Sequence, residues 1–341
     1  MGPEHSKTTE EQSSQSVHAE IRTANSQSNN DPSTNSIQTI QDARVDKLQA
    51  KVWNPNTPES WEAGMREYHS VETSDYPLPS DEIEQNRLET GHFVFRARFQ
   101  GDIICPDAKE LVKSDGTKVL DVGCAKGFWL QSVRKDNPFS EYHGVDIAER
   151  FVTEASGNGS INIKFGNVLE RLPYEDNTFD YVHQRLLVLG MPKDKFPDAL
   201  KELIRVTKPG GWIELVEGDI VIYKAGPYST VLTKAILDAM HARGLDCYAA
   251  TNLEWYVNKV ASNVANQGIR AIHNIMNDGT PLGKLMARVS KESFLSMEDW
   301  LHKPMNLTRG EYQKLVDNCA AEWEEYQSFW QNSAVYFQVV K

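Results

Sequence analysis

The stretch from Lys118 to Glu217 alternates between short runs that are apolar on both faces and amphipathic runs with one apolar stripe. Lys118–Gly123 reads as a strand, Lys126–Lys135 as a helix and Tyr142–Ile147 as a second strand. A short helix near Glu149–Ala155 precedes two further strands, Ile161–Val168 and Phe179–Leu187. Lys193–Thr207 carries Phe196, Leu200, Leu203 and Ile204 at helical spacing. Lys208-Pro209-Gly210-Gly211 stops that helix, and Trp212–Glu217 is a fifth strand. Strands and helices in strict turn can bury their apolar faces only as a parallel sheet covered on both sides. The fold class is therefore α/β.

On either side the pattern changes. Residues 1–52 contain no Phe, Trp or Tyr, and Ser, Thr, Asn and Gln supply 22 of the first 45 residues. Such a segment buries too little apolar surface to offset its ordering entropy, so 1–52 is expected to be a disordered polar tail, with at most a weak helix at Asp42–Lys51. Trp53 opens a helical lead-in spanning 53–115. Within it Tyr76-Pro77-Leu78-Pro79 must be extended, and Ser80 is placed to cap a helix bearing Ile83, Arg87, Leu88, Phe95 and Phe99. The alternating core is assigned to 116–225. The remainder, 226–341, reads as a helical elaboration with closing strands of the same domain: Thr308-Arg309-Gly310-Glu311 fits a capping box, and Tyr312, Leu315, Val316, Cys319, Trp323, Tyr326 and Trp330 follow at helix period as a core stripe. Ala334–Val340 looks like a closing strand, with Ile269–Met276 as its partner.

Composition narrows the function. The chain has 341 residues, with 36 Lys and Arg against 48 Asp and Glu, a net charge of −12. An acidic body is unsuited to phosphate backbones, so no nucleic-acid partner is expected. Cys105, Cys124, Cys247 and Cys319 form no CxxC pair, which excludes a zinc ribbon or disulfide scaffold and points to a reducing compartment. No metal site is expected. The longest apolar run, Leu186-Leu187-Val188-Leu189-Gly190-Met191, is far short of the roughly 18 residues that span a bilayer, and Met1–Glu20 lacks the apolar core of a secretory signal. The expected location is cytoplasmic, with the nucleus left open, and no membrane partner is expected.

The chemistry centres on Val119-Leu120-Asp121-Val122-Gly123-Cys124-Ala125-Lys126-Gly127, a strand turning through glycines into a helix. A P-loop would need GxxxxGK[ST], which is absent. A dinucleotide fingerprint would need GxGxxG, but Ala125 stands two after Gly123, where the second glycine belongs. A nucleoside ligand without phosphates is the reading that remains, with a nicotinamide-dependent oxidoreductase as its rival. LDVGCAKG is followed by HGVDI, a strand ending FGNV, LPYEDNTFDYVHQR and VTKPGGWIELVE. In that order the motifs resemble those of the class I S-adenosylmethionine-dependent methyltransferases, which have a Rossmann-like sheet. The lead-in Tyr76-Pro77-Leu78-Pro79 with Asp81, Glu84, Arg87, Leu88 and His92 resembles that of the fungal methyltransferases similar to the velvet-complex regulator of secondary metabolism.

The resemblance implies S-adenosylmethionine as cofactor and assigns residues to it. Gly123 and Gly127, with Cys124 and Ala125 between them, would let the first loop pass close to the methionine part and ribose. Asp121 would organise that loop or receive the ligand's amino group. Asp146 would accept both ribose hydroxyls, or else cap the next helix. Ile147 would pack on adenine, with Val168 beside it, and Asn167 stands where the family has an Asp near the adenine amino group. Ala125 and Lys126 depart from the family pattern. His92, His183 and Arg185 are substrate-side candidates, although His183 fits a structural histidine equally well and no catalytic residue is assigned. Asp81, Glu84 and Arg87 at i,i+3 spacing would form a salt-bridged solvent face, or the resemblance makes this helix a lid. The implied activity is methyl transfer to a small-molecule acceptor in secondary metabolism. The alternative is a cofactor-binding regulator that meets a protein partner through its tail.

Overall fold

The computed structural model describes residues 66–69, 71, 76–155 and 161–340. The tail 1–52, the helix expected at Asp42–Lys51 and Trp53 lie outside the described residues. Seven strands form one mixed sheet in the order β3-β2-β1-β4-β5-β7-β6. β1 (Lys118–Val122), β2 (Glu141–Asp146), β3 (Asn162–Phe165), β4 (Phe179–Arg185) and β5 (Thr207–Gly218) are parallel. β7 (Phe329–Val339) runs antiparallel between β5 and β6 (Val264–Ile275). The expected closing pair is there, with Ile269 opposite Val335, and both strands are longer than their sequence pattern predicts. β5 also starts early. Its helix ends at Val206 and the strand begins at Thr207, with an irregular register before Tyr181 meets Trp212.

The helices are α1 (Glu82–Phe99), α2 (Pro106–Leu111), α3 (Phe128–Asp136), α4 (Glu149–Ala155), α5 (Phe196–Val206), α6 (Pro227–His241), α7 (Ala249–Lys259), α8 (Pro281–Ser296), α9 (Glu298–Leu301) and α10 (Arg309–Tyr326). Strand alternation sends Leu120, Val182, Ile213 and Phe337 to one face, where they pack with α5 and α7 through Phe196, Leu203 and Tyr256. Val119, Tyr181 and Trp212 point the other way, towards Ala108 of α2 and Trp129, Leu130 and Val133 of α3. On this second face Asp121, His183 and Glu214 are also buried, where a sheet would ordinarily carry apolar side chains.

Two details differ from the sequence reading. Asp81, not Ser80, caps α1: its carboxylate accepts from Glu84 N at 2.9 Å, while Ser80 hydrogen-bonds Glu67 O. The capping box at Thr308 forms as expected, and Tyr312, Val316, Cys319 and Trp323 are buried along α10. That helix stops at Tyr326, however, because Gln327 turns left-handed. Trp330 therefore belongs to β7, and the core stripe is shorter than predicted.

Candidate functional site

Beyond β1 the chain turns through Gly123 (φ 72°), Ala125 (φ 47°) and Gly127 (φ 74°) before α3 begins. Gly123 takes a left-handed φ that other residues adopt only with strain, and a Cβ there would also press on the Leu187 side chain. Gly127 caps α3 in the left-handed conformation and faces Ile163, so it does not reach the cavity that the loop encloses. Ala125 holds a conformation that costs a non-glycine residue roughly 1–2 kcal/mol. It is fixed there by Asp146, whose Oδ2 accepts from Ala125 N at 2.8 Å.

Asp146 ends β2 and its Oδ1 accepts from Ala148 N at 2.9 Å. The capping alternative is thus realised in part, and the same carboxylate lines the cavity. Burial, only partly countered by these two backbone bonds, raises its pKa to about 6. Ile147, Val168 and Asn167 continue the wall. The Asn167 amide oxygen accepts from Leu169 N at 3.0 Å, so it is already partly engaged in a local turn. Cys124 is buried against the same cavity, which has a volume of about 280 Å³.

Asp121 on β1 sits directly opposite His183 on β4. Its Oδ1 lies 2.8 Å from His183 Nδ1, and both side chains are almost fully enclosed. An ionised carboxylate only accepts, so Nδ1 is the nitrogen that donates in this pair and Nε2 is left for the cavity side. Trp129 stacks on the imidazole with centroids 3.9 Å apart and planes 3° from parallel, while its own Nε1 donates to Asp102 O at 2.8 Å. The histidine is thus clamped in one orientation at the cavity wall. Nothing in the sequence pattern marked Trp129 for this role. Asp102 and Gln85 carried no sequence signal.

α1 closes the opposite side. Glu84 and Arg87 are not a solvent face: they pair with each other in the interior, Glu84 accepts from Ser296 Oγ at 2.8 Å, and Arg87 Nη1 donates to Ser293 Oγ at 2.9 Å. These bonds fasten α1 to α8, so Gln85, Leu88, His92 and Phe95 form a wall of the cavity. Arg185, the last residue of β4, reaches His92 Nδ1 at 3.3 Å. Burial and the charges of Arg185 and Arg96 push the His92 pKa down to about 2, so it is neutral. Trp330 also lines the cavity and donates to Ser290 Oγ at 2.8 Å. Glu217, fully enclosed, accepts from Leu187 N at 2.9 Å and from Val188 N at 3.4 Å, shaping the segment after β4. Among the described residues no cluster suited to a metal ion occurs, and no helix is long and apolar enough to cross a membrane.

The family model for a methyltransferase domain matches residues 119–211, the segment that carries the glycine turn, Asp146 and the Asp121–His183 pair. That match makes this segment a methyltransferase domain. The chain is 33% identical over 159 residues to the N-methyltransferase sirN of Leptosphaeria maculans, covering 45% of this chain and 54% of that one. It is 35% identical over 153 residues to the secondary metabolism regulator laeA of Coprinopsis cinerea, covering 43% and 37% of the two chains. A demethylmenaquinone methyltransferase of Staphylococcus aureus is 35% identical over 117 residues, covering 32% and 46%. The chain thus spans about half, or less, of the length of these curated relatives. The cofactor of this family is S-adenosylmethionine, and the residues present fit it. Asp146 offers an acceptor to a diol, Ile147 and Val168 an apolar seat for a base, and Asp121 with Asp146 makes the loop a better neighbour for a sulfonium cation than for a pyrophosphate.

Proposed function

We propose that this protein is an S-adenosylmethionine-dependent methyltransferase acting on a small, partly apolar acceptor. The observation that carries the reading is one cavity, partly open to solvent, that joins the Asp146 loop to the Asp121–His183 pair. When bound, S-adenosylmethionine supplies an electrophilic methyl group on a sulfonium. Asp146 binds the ribose, with Asp121 and the Gly123–Ala125 turn along the methionine side and Ile147, Asn167 and Val168 around the adenine. His183, held by Asp121 and Trp129, removes the proton of the acceptor's nucleophile through Nε2. The walls of α1 and α8 exclude water and align the acceptor, and alignment alone can supply up to about 7–11 kcal/mol. His183→Ala is expected to lower kcat by about a hundredfold or more while S-adenosylmethionine affinity stays at the wild-type value. Equal turnover in the variant would remove His183 from the chemistry.

The likeness to the regulator laeA favours a second reading, in which a cofactor-bound chain acts through a protein partner met by its tail. Transfer of a labelled methyl group into fungal metabolite extracts, with no stable protein partner recovered, supports the first reading. A stable partner and no transfer support the second. A fungal source and a role in secondary metabolism rest on the two fungal relatives. A cytoplasmic location rests on four buried, unpaired cysteines.

A further inference from the structure

Arg185 stands apart from the other arginines of this region. Arg87 pairs with Glu84, Arg96 with Asp102 and Arg98 with Asp278. Arg185 forms no ion pair among the described residues; its guanidinium lies 5.4 Å from the Phe95 ring centroid and donates to His92 Nδ1. A guanidinium has five N–H donors and keeps its proton, so a largely enclosed one with carboxylates near it but none paired to it directly has donors left for a further acceptor. The carboxylates whose charge reaches it are bonded to other groups, although Asp102 Oδ1 and Glu214 Oε1 keep no hydrogen-bond partner. Asp121 holds His183, Asp102 accepts from Ser132 Oγ at 2.8 Å and pairs with Arg96, and Glu214 accepts from the backbone of Ile104 and Cys105 at 2.9 and 2.7 Å. The remaining Arg185 donors are not among the enclosed, unpartnered atoms, and the residue lines the cavity.

His92 acts as a positioning residue. Its Nδ1 lone pair faces Arg185, which leaves the proton on Nε2, 3.7 Å from Asp102 Oδ1. An independent sign of a polar ligand lies two turns back along α1: Gln85 is 3% exposed, both its amide atoms lack partners, and it lines the same cavity.

We propose that Arg185 is a carboxylate receptor in this cavity. The inference rests on the methyltransferase reading. The carboxylate belongs either to the acceptor or to the amino-acid end of the cofactor. Calorimetry separates the two with wild type and Arg185→Met, using S-adenosylmethionine against its decarboxylated analogue, and phenylacetate against phenylacetamide with S-adenosylhomocysteine bound. A wild-type preference for S-adenosylmethionine of about tenfold or more, lost in the variant, assigns the cofactor's carboxylate. Unchanged cofactor affinity in the variant, with a wild-type preference for phenylacetate that the variant loses, assigns the acceptor's. No carboxylate preference in either wild-type pair overturns the proposal even if the variant does not fold, and so does a preference that survives the substitution. In both of those cases wild-type binding of S-adenosylmethionine leaves the methyltransferase reading standing; absence of that binding overturns both together.

Discussion

At the residue scale, three positions decide how the site works, and each departs from what its residue type would do in isolation. Ala125 is left-handed at φ 47° where the family pattern has glycine. Ala125→Gly is expected to stabilise the protein by about 0.5–1 kcal/mol, the relieved strain less glycine's greater unfolded-state entropy. Urea unfolding reads this directly, and a destabilised variant would mean that the Ala125 methyl packs usefully. Asp146, with its pKa at about 6, is mostly neutral at pH 5 and ionised at pH 8. Only the ionised form offers both oxygens as acceptors, so cofactor affinity should rise with pH through about 6 and then level. In Asp146→Asn that rise should be absent; a rise of the same size would place the titration elsewhere. Asp146 was legible as a site residue because its motif is local. Its bond to Ala125 N was not, because that contact joins two loops that only the folded sheet brings together.

At the scale of elements, the strand–helix alternation was readable because period and turn chemistry agree from Lys118 to Glu217. The errors fall where tertiary contacts override local pattern. Trp330 continues the helical spacing of α10 but is claimed by β7, and Glu84 and Arg87 look like an exposed pair until α8 covers them. Glu217 is the element-scale device that sequence could not show: one buried acid, its pKa raised to about 8 by burial, ties the end of β5 to the segment after β4. Its ordinary value is 4.5, so between about pH 4.5 and 8 the folded protein holds a proton that the unfolded chain has released. Glu217 by itself should therefore lower stability as pH rises across that window, by on the order of 4–5 kcal/mol. His92, held neutral with its pKa down to about 2 from 6.5, acts in the opposite sense up to about pH 6.5, so the fall stands clear between about pH 6.5 and 8. Asp146 adds a smaller fall of the same sign that ends near pH 6. Denaturation of Glu217→Gln should show little slope between about pH 6.5 and 8, since the amide does not titrate. A slope in that variant as steep as the wild type's would contradict the burial account.

At the scale of the whole molecule, the site sits where the sheet reverses its order, between β1 and β4. Residues 53–341 carry 31 Lys and Arg against 41 Asp and Glu, so the acidity belongs to the body and not to the tail. An acidic body with a largely apolar cavity suits a cationic cofactor and the small acceptor proposed above. The cofactor half of the site was readable from motifs in order. The acceptor half was not, because α1, α8 and β7 meet over the sheet from positions far apart in the chain. The central claim is that this cavity binds S-adenosylmethionine through Asp146, and calorimetric titration of wild type and Asp146→Ala tests it most directly. The account predicts binding of S-adenosylmethionine and none of NADH, with affinity in the variant weaker by about tenfold or more, since hydrogen bonds to a charged acceptor contribute about 1.5–3 kcal/mol. Heat from NADH without heat from S-adenosylmethionine, or an unchanged affinity in Asp146→Ala, would contradict it.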